Sequence, residues 1–152
     1  MTLRVRIRFW RLFRNFFVTD EAGEPYCTVE QQLCFPEKLF LYDGDGKVFA
    51  SLRRLWRIPK TFRLSWEGHE VMMRRRLFSR RYTLRTLGWH TKRNLLDSDH
   101  CILKGTDETI ARIEAVYNGC NVHCSNPVDA LPALLFALAV QKKQGTFGTT
   151  EQ

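Results

Sequence analysis

Between Ala130 and Val140 no residue carries a polar side chain, so no face of that segment is built to meet water. An ordinary surface helix would show one polar stripe. A bilayer span needs about 20 apolar residues, and this run is shorter. Its flanks are those of a helix: Asn126 suits the cap, Pro127 the first helical position, and Asp129 the positive end of the dipole. Lys142 and Lys143 suit the other end, and Gly145 a stop. A helix is therefore expected at about 127–143. Being apolar all round, it must be enclosed all round, and the rest of the chain has to supply the enclosure.

Everything before that helix reads as short strands. In "LRVRIRF" Leu3, Val5, Ile7 and Phe9 alternate with Arg4, Arg6 and Arg8. A period of two over seven residues marks a half-buried strand and argues against a membrane-active amphipathic helix. A unit of strand, acidic-Gly turn and strand then recurs in "FFVTDEAGEPYCTV", "LFLYDGDGKVFASL", "FRLSWEGHEVMMRR" and "CILKGTDETIARI". Gly46 follows Gly23 by 23 residues, and Gly68 follows Gly46 by 22. Asp, Glu and Gly provide the backbone angles of tight hairpins, so the repeat predicts a meandering antiparallel sheet.

Extended segments are expected to begin near Leu3, Asn15, Tyr26, Lys38, Val48, Thr61, Val71, Arg81, His90, Cys101, Thr109 and Asn121, about twelve strands in all. A barrel of about eight strands fills itself with side chains, and one of about sixteen encloses a channel. About twelve leaves an axial void that one apolar helix fills. The predicted fold is an all-β closed antiparallel barrel threaded by its C-terminal helix. Leu131, Leu134, Leu135, Phe136, Leu138 and Val140 form its axial core. The domain is expected over 1–144, with a flexible tail at 145–152.

The chain of 152 residues is 44% hydrophobic with a net charge of +8, which places it among globular proteins. The Arg-interrupted start fits no signal peptide, and it lacks the Ser of a mitochondrial transit peptide. Cys27, Cys34, Cys101, Cys120 and Cys124 are odd in number and irregular in spacing, as expected of reduced, mostly buried thiols in a cytoplasm. Between Lys47 and Arg93 the acids are Glu67 and Glu70 alone, against fourteen bases. Such asymmetry points to an anionic partner, with solvated strand faces as the plain alternative.

The order of these segments, closed by "VDALPALLFALAV", resembles the LURP-one-related family, which shares the tubby C-terminal-like fold and is related to phospholipid scramblases. The resemblance covers nearly the whole chain. It implies a twelve-stranded barrel around a central helix, matching the independent reading. The chain departs from the family after Trp89, where His90, Thr91, Lys92 and Arg93 replace a frequent Gly. It departs again at Gln141, where an acid is common. Tubby domains bind phosphoinositide headgroups and scramblases act at membranes, but no lipid-binding motif carries over position by position.

Among chemical candidates, "RRRLFSRR" stands first. On a strand Arg74 and Arg76 share one face and Arg75 takes the other, and Arg80 and Arg81 follow across a turn. Arg forks match phosphate oxygens, so Arg74, Arg76, Arg80 and Arg81 are the expected anion or lipid contacts. "CNVHC" offers Cys120, His123 and Cys124 as metal ligands, with Cys101 or His100 to complete the set. A strand would turn His123 away from both thiols, so core cysteines are the expected reading. Asp43, Gly44, Asp45 and Gly46 resemble the start of a calcium loop without its closing Glu. No nucleophile signature or phosphate loop is present, and no catalytic residue, cofactor or metal is assigned. The sequence thus predicts a non-enzymatic binding or scaffold module for an anionic phospholipid surface or phosphoinositide headgroup. It would be cytoplasmic, peripheral to the inner membrane face and without a transmembrane span. A protein-interaction adaptor, with an acidic protein among its partners, is the first alternative. A nucleic-acid binder using Trp56, Trp66 and Trp89 is the second.

Overall fold

A computed structural model describes residues 1–6, 14–32, 38–55, 60–76, 81–93, 99–106, 108–117 and 119–145. The described residues form twelve strands: β1 (Thr2–Arg6), β2 (Arg14–Asp20), β3 (Pro25–Gln32), β4 (Lys38–Tyr42), β5 (Val48–Leu55), β6 (Thr61–Trp66), β7 (His69–Arg75), β8 (Tyr82–Leu84), β9 (Trp89–Arg93), β10 (His100–Lys104), β11 (Glu108–Val116) and β12 (Gly119–Cys124). Each pairs antiparallel with its sequence neighbour. The ring closes where β1 pairs with β12, Leu3 opposite Val122 and Val5 opposite Cys120. Closure leaves no unpaired sheet edge among the described strands.

The hairpin turns follow from local chemistry. Asp20 Oδ1 accepts from the amides of Ala22 and Glu24, each at 2.9 Å. Asp43 Oδ1 repeats this with the amides of Asp45 and Lys47, also at 2.9 Å. The acidic loop resembling a calcium site is thus a hairpin turn that spends its first carboxylate on its own backbone. At the β6–β7 turn Glu67 and Gly68 take φ of 45° and 80°, the two left-handed positions of a tight two-residue connection. Register shifts at Val18/Thr19, Leu41/Tyr42 and Ile102/Leu103 each fall beside such a turn, where a bulge adds twist.

The axis is filled by α1 (Ala130–Gly145), preceded by a 3-10 turn at Pro127–Asp129 whose Asn126 cap accepts from the Val128 amide at 3.0 Å. The α-helix therefore starts later than position 127. Pro132 gives the reason: it lacks an amide proton and would clash in a helix interior, whereas a start at Ala130 places it in the first turn. Leu134, Leu135 and Phe136 are all fully buried, and Leu131, Leu138 and Val140 nearly so. Successive residues are about 100° apart around a helix, so three consecutive buried positions mean enclosure on every side. The core that meets them comes from the inward row of each strand, including Leu3, Val29, Leu41, Leu64, Met73, Leu84, Ile102 and Val122.

An antiparallel ring with sequential neighbours puts alternate connections at opposite ends. β12 finishes where α1 begins, which defines a helix-entry end shared by the β2–β3, β4–β5, β6–β7, β8–β9 and β10–β11 turns. Phe136 meets Tyr82, the first residue of β8, edge to face at 6.0 Å between centroids. Tyr82 lies at the opposite end, so α1 runs from the entry end to a helix-exit end.

Candidate functional site

Charge sorts by end. The entry-end turns and their flanks carry nine acids, Asp20, Glu21, Glu24, Asp43, Asp45, Glu67, Glu70, Glu108 and Asp129, against the bases Lys47, Arg85 and Lys104. The exit end, along the arc from β4 to β8, carries Lys38, Arg53, Arg54, Lys60, Arg74, Arg75, Arg76 and Arg81. The barrel is thus polarised along its axis, a property no single segment reveals.

On the outside of β7 and β8, Arg74, Arg76 and Arg81 are exposed. The Arg76 amide donates to the Arg81 carbonyl at 2.8 Å, placing those two side chains across from one another. Arg74 sits opposite Thr83 one step further in. The structure thus brings together three of the four expected arginines on one outer face, and Arg80 lies outside the described residues. The same face continues across β4, β5 and β6, where Lys38, Arg53 and Arg63 are successive cross-strand neighbours. They line a shallow depression of about 240 Å³ with Phe40, Ser51, Leu52, Ser65 and Glu70. Glu70 stands 3.4 Å from Arg63 Nε, at ion-pair distance but without hydrogen-bond geometry. With those side chains 34% and 60% exposed, the pair is solvated and contributes about 0–1 kcal/mol. Sequence reasoning missed this trio because its members lie on three strands. Their nearness exists only once the register is known.

The inner side of the same end holds a second arrangement. Arg75 faces inward opposite Tyr82, and the Arg75 amide donates to the Lys60 carbonyl at 2.9 Å. Tyr82 is 2% exposed, and its hydroxyl has no hydrogen-bond partner among the described residues. Burial pushes its pKa up, opposed by the Arg75 and Arg54 guanidiniums nearby. The next inward residue around the ring, Thr91 of β9, is also buried, and its hydroxyl accepts from the Tyr82 amide at 2.9 Å.

The model of the LURP-one-related family matches residues 1–131. The chain belongs to the LURP-one-related family. The tubby-like superfamily placement is consistent with that family. The matched stretch holds every strand and both basic arrangements, and it ends two residues into α1. An X-ray structure of an Arabidopsis thaliana protein is similar over 91% of this chain and 91% of that one, at 18% identity and a TM-score of 0.55. At that identity the likeness bears on the fold alone. No curated protein matches the chain.

In this LURP-one-related protein the metal reading of residues 120–124 separates as strand geometry requires. Cys120 and Cys124 point into the core and His123 points out. His123 Nε2 lies 3.1 Å from Glu114 Oε1, and its Nδ1 lies 3.0 Å from Thr2 Oγ1, so the ring ties β1, β12 and β11 together at the closure seam. Among the described residues no three metal-ligating side chains gather. Burial pushes the Cys27 and Cys120 thiols up to about 12 and Cys124 up to about 11. Those values leave them protonated and unreactive. The stacking platform expected of a nucleic-acid binder is also absent at two of its three positions. Trp66 and Trp89 are 8% and 4% exposed and belong to the core, and Trp56 lies outside the described residues. Exposed large apolar side chains are scattered, with Val48 and Val128 toward the entry end and Tyr117 at the exit end. No helix among the described residues is long and apolar enough to cross a membrane.

Proposed function

We propose that this protein is a non-enzymatic binding module that docks its helix-exit end on an anionic phospholipid surface at the cytoplasmic face of a membrane. The observation that carries the reading is the axial separation of charge. Acids collect at the hairpin end, while Arg74, Arg76 and Arg81 stand exposed beside Arg53 and Arg54 at the other. Such a distribution orients the barrel in the field of an anionic surface. Tyr117, 97% exposed at the tip of the exit-end turn between β11 and β12, suits the headgroup layer, where amphipathic rings settle.

Each basic side chain near an anionic surface contributes about 1 kcal/mol, so losing the attraction of three weakens partitioning by roughly a hundredfold. Co-sedimentation with vesicles of phosphatidylcholine alone, with added phosphatidylserine, or with added phosphatidylinositol bisphosphate tests the idea. Wild type should pellet with the anionic vesicles at low salt and less so at moderate salt, where the Debye length falls to about 8 Å. The exposed triple change Arg74→Glu, Arg76→Glu and Arg81→Glu should stay in the supernatant while melting as wild type does. No binding to any vesicle sinks the lipid reading and favours an adaptor for an acidic protein. Binding of naked oligonucleotide in preference to vesicles would favour the nucleic-acid alternative.

A further inference from the structure

The outer wall of β4 to β7 carries a second depression, of about 350 Å³, whose lining includes Phe49, Trp66, Glu67 and His69. Ser51, Ser65 and Glu70 line both it and the depression of about 240 Å³, so the two join into one open trough. Register makes the floor. Phe40, Ser51, Ser65 and Glu70 are successive cross-strand neighbours, and two small side chains stand in the middle of that row. Two residues toward the exit end along each strand lies the parallel row Lys38, Arg53 and Arg63. Glu70 answers Arg63 at 3.4 Å, which leaves that row net positive. Glu67 lines the opposite end. The trough thus has a cationic end, a small uncharged floor flanked by Phe40 and Phe49, and an anionic end.

We propose that this trough is a docking site for an extended peptide segment with one acidic residue, its carboxylate held by Lys38, Arg53 and Arg63 and an apolar side chain two residues on seated over Ser51 and Ser65. Along β5, Arg53 and Ser51 are two residues apart, about 7 Å at the rise of a strand. An extended peptide has the same rise and turns every second side chain to one side, so its acid and its apolar residue keep step with them. Each described strand already pairs on both sides, so the peptide cannot join the sheet as a further strand. Recognition therefore falls to side chains. Arg forks match a carboxylate, and the two serine hydroxyls can donate to or accept from the peptide backbone. Glu67 and Glu70 repel a second acid at the other end, which fixes the direction of the segment. A compact small ligand needs a cleft that covers most of its surface, whereas an open trough suits a chain that gathers contacts along its length. The floor is separate from Arg74, Arg76 and Arg81, so the inference stands apart from the membrane-docking reading.

The experiment selects a phage library of random short peptides on the full chain, then titrates an enriched peptide, carrying a fluorophore, by anisotropy. Enriched sequences should share one acidic residue with an apolar residue two positions away. The variants are Ser65→Trp, which fills the floor, Arg53→Glu, which reverses one charge of the cationic row, and the triple change Arg74→Glu, Arg76→Glu and Arg81→Glu. Trp suits an outward strand position and Arg53 is exposed, so both single variants should melt as wild type does. Each should bind the peptide about tenfold more weakly or worse, while the triple change stays within about threefold of wild type. The trough is refuted if no acidic sequence is enriched, or if folded Ser65→Trp binds the peptide as wild type does. Should Ser65→Trp fail to fold, unchanged affinity in Arg53→Glu refutes it. A triple change that weakens the peptide as much as Arg53→Glu places it on the exit-end arginines and refutes the trough likewise. Sedimentation velocity tests for a second copy: a wild-type dimer that Ser65→Trp splits gives the trough to another chain of this protein and overturns the peptide. Loss of vesicle binding in folded Ser65→Trp gives the trough to lipid and overturns it too.

Discussion

An alanine substitution at each of Leu134, Leu135 and Phe136 tests whether the helix is enclosed. All three are fully buried, and together they sweep more than half of the helix circumference. In a helix packed on one side at least one of the three would face water, and its loss would go almost unnoticed. Here each deletion should open a cavity: Leu→Ala costs about 2–5 kcal/mol in a closed core and Phe→Ala about 3–5. Phe136→Ala also removes the edge-to-face contact with Tyr82 at 6.0 Å, worth about 0.5–1.5 kcal/mol within that total. At roughly 2–4 °C per kcal/mol for a domain of this length, each variant should melt about 4–20 °C below wild type. Differential scanning fluorimetry followed by urea titration measures this. Leu135→Asp, which buries a carboxylate without a partner, should give an aggregated or unfolded chain. A single alanine variant within about 1 °C of wild type, or a soluble Leu135→Asp with a cooperative melt, refutes enclosure.

Three further outcomes follow from particular contacts. A Cβ at Gly119, whose φ is +150°, would stand 2.0 Å from the Val5 carbonyl oxygen, so Gly119→Ala should disrupt the β1–β12 closure and cost about 3 kcal/mol or more. Gly44→Ala, with nothing within 4 Å, should change the melting temperature by under about 2 °C, and equal effects at the two positions would contradict the close approach. Hydrogen bonds from His123 and Asn121 hold the Glu114 carboxyl below its ordinary pKa. A lowered folded pKa adds stability above the unfolded value and loses it as pH falls through the folded one, so acidification below about pH 4 should destabilise wild type more than Glu114→Gln. Equal losses in the two proteins would remove that assignment. Finally, iodoacetamide at pH 8 followed by peptide mapping should leave Cys27, Cys120 and Cys124 unmodified in the folded protein and label all three in urea; rapid native labelling of any of them would contradict their burial.

Features that depend on neighbours in the chain were legible before any tertiary contact was known. The alternation at Leu3 and Val5, the Asp20 and Asp43 turns and the uniformly apolar 130–140 segment all satisfy local backbone and solvation demands. Strand starts fall within two residues of expectation. β7 begins at His69 rather than Val71 because the two-residue Glu67–Gly68 turn lets Trp66 pair at once with His69. The α-helix starts at Ala130 rather than at 127 because Pro132 is tolerated only in a first turn, a constraint that is local to the sequence. The opposite facing of Arg75 from Arg74 and Arg76 was also legible, from strand period alone.

Tertiary structure decided which of those residues meet. That Lys38, Arg53 and Arg63 share a groove depends on the register of β4, β5 and β6. That Arg75 stands opposite Tyr82 depends on a further pairing, β7 with β8. The burial of Trp66 and Trp89 and the gathering of acids at one end and bases at the other were settled in the same way, by the closed ring. Sequence sets the periodicity of a strand and the chemistry of its turns, since both are satisfied within a few residues. Register accumulates over every turn and is settled when β1 closes on β12, and it decides which distant charges become neighbours.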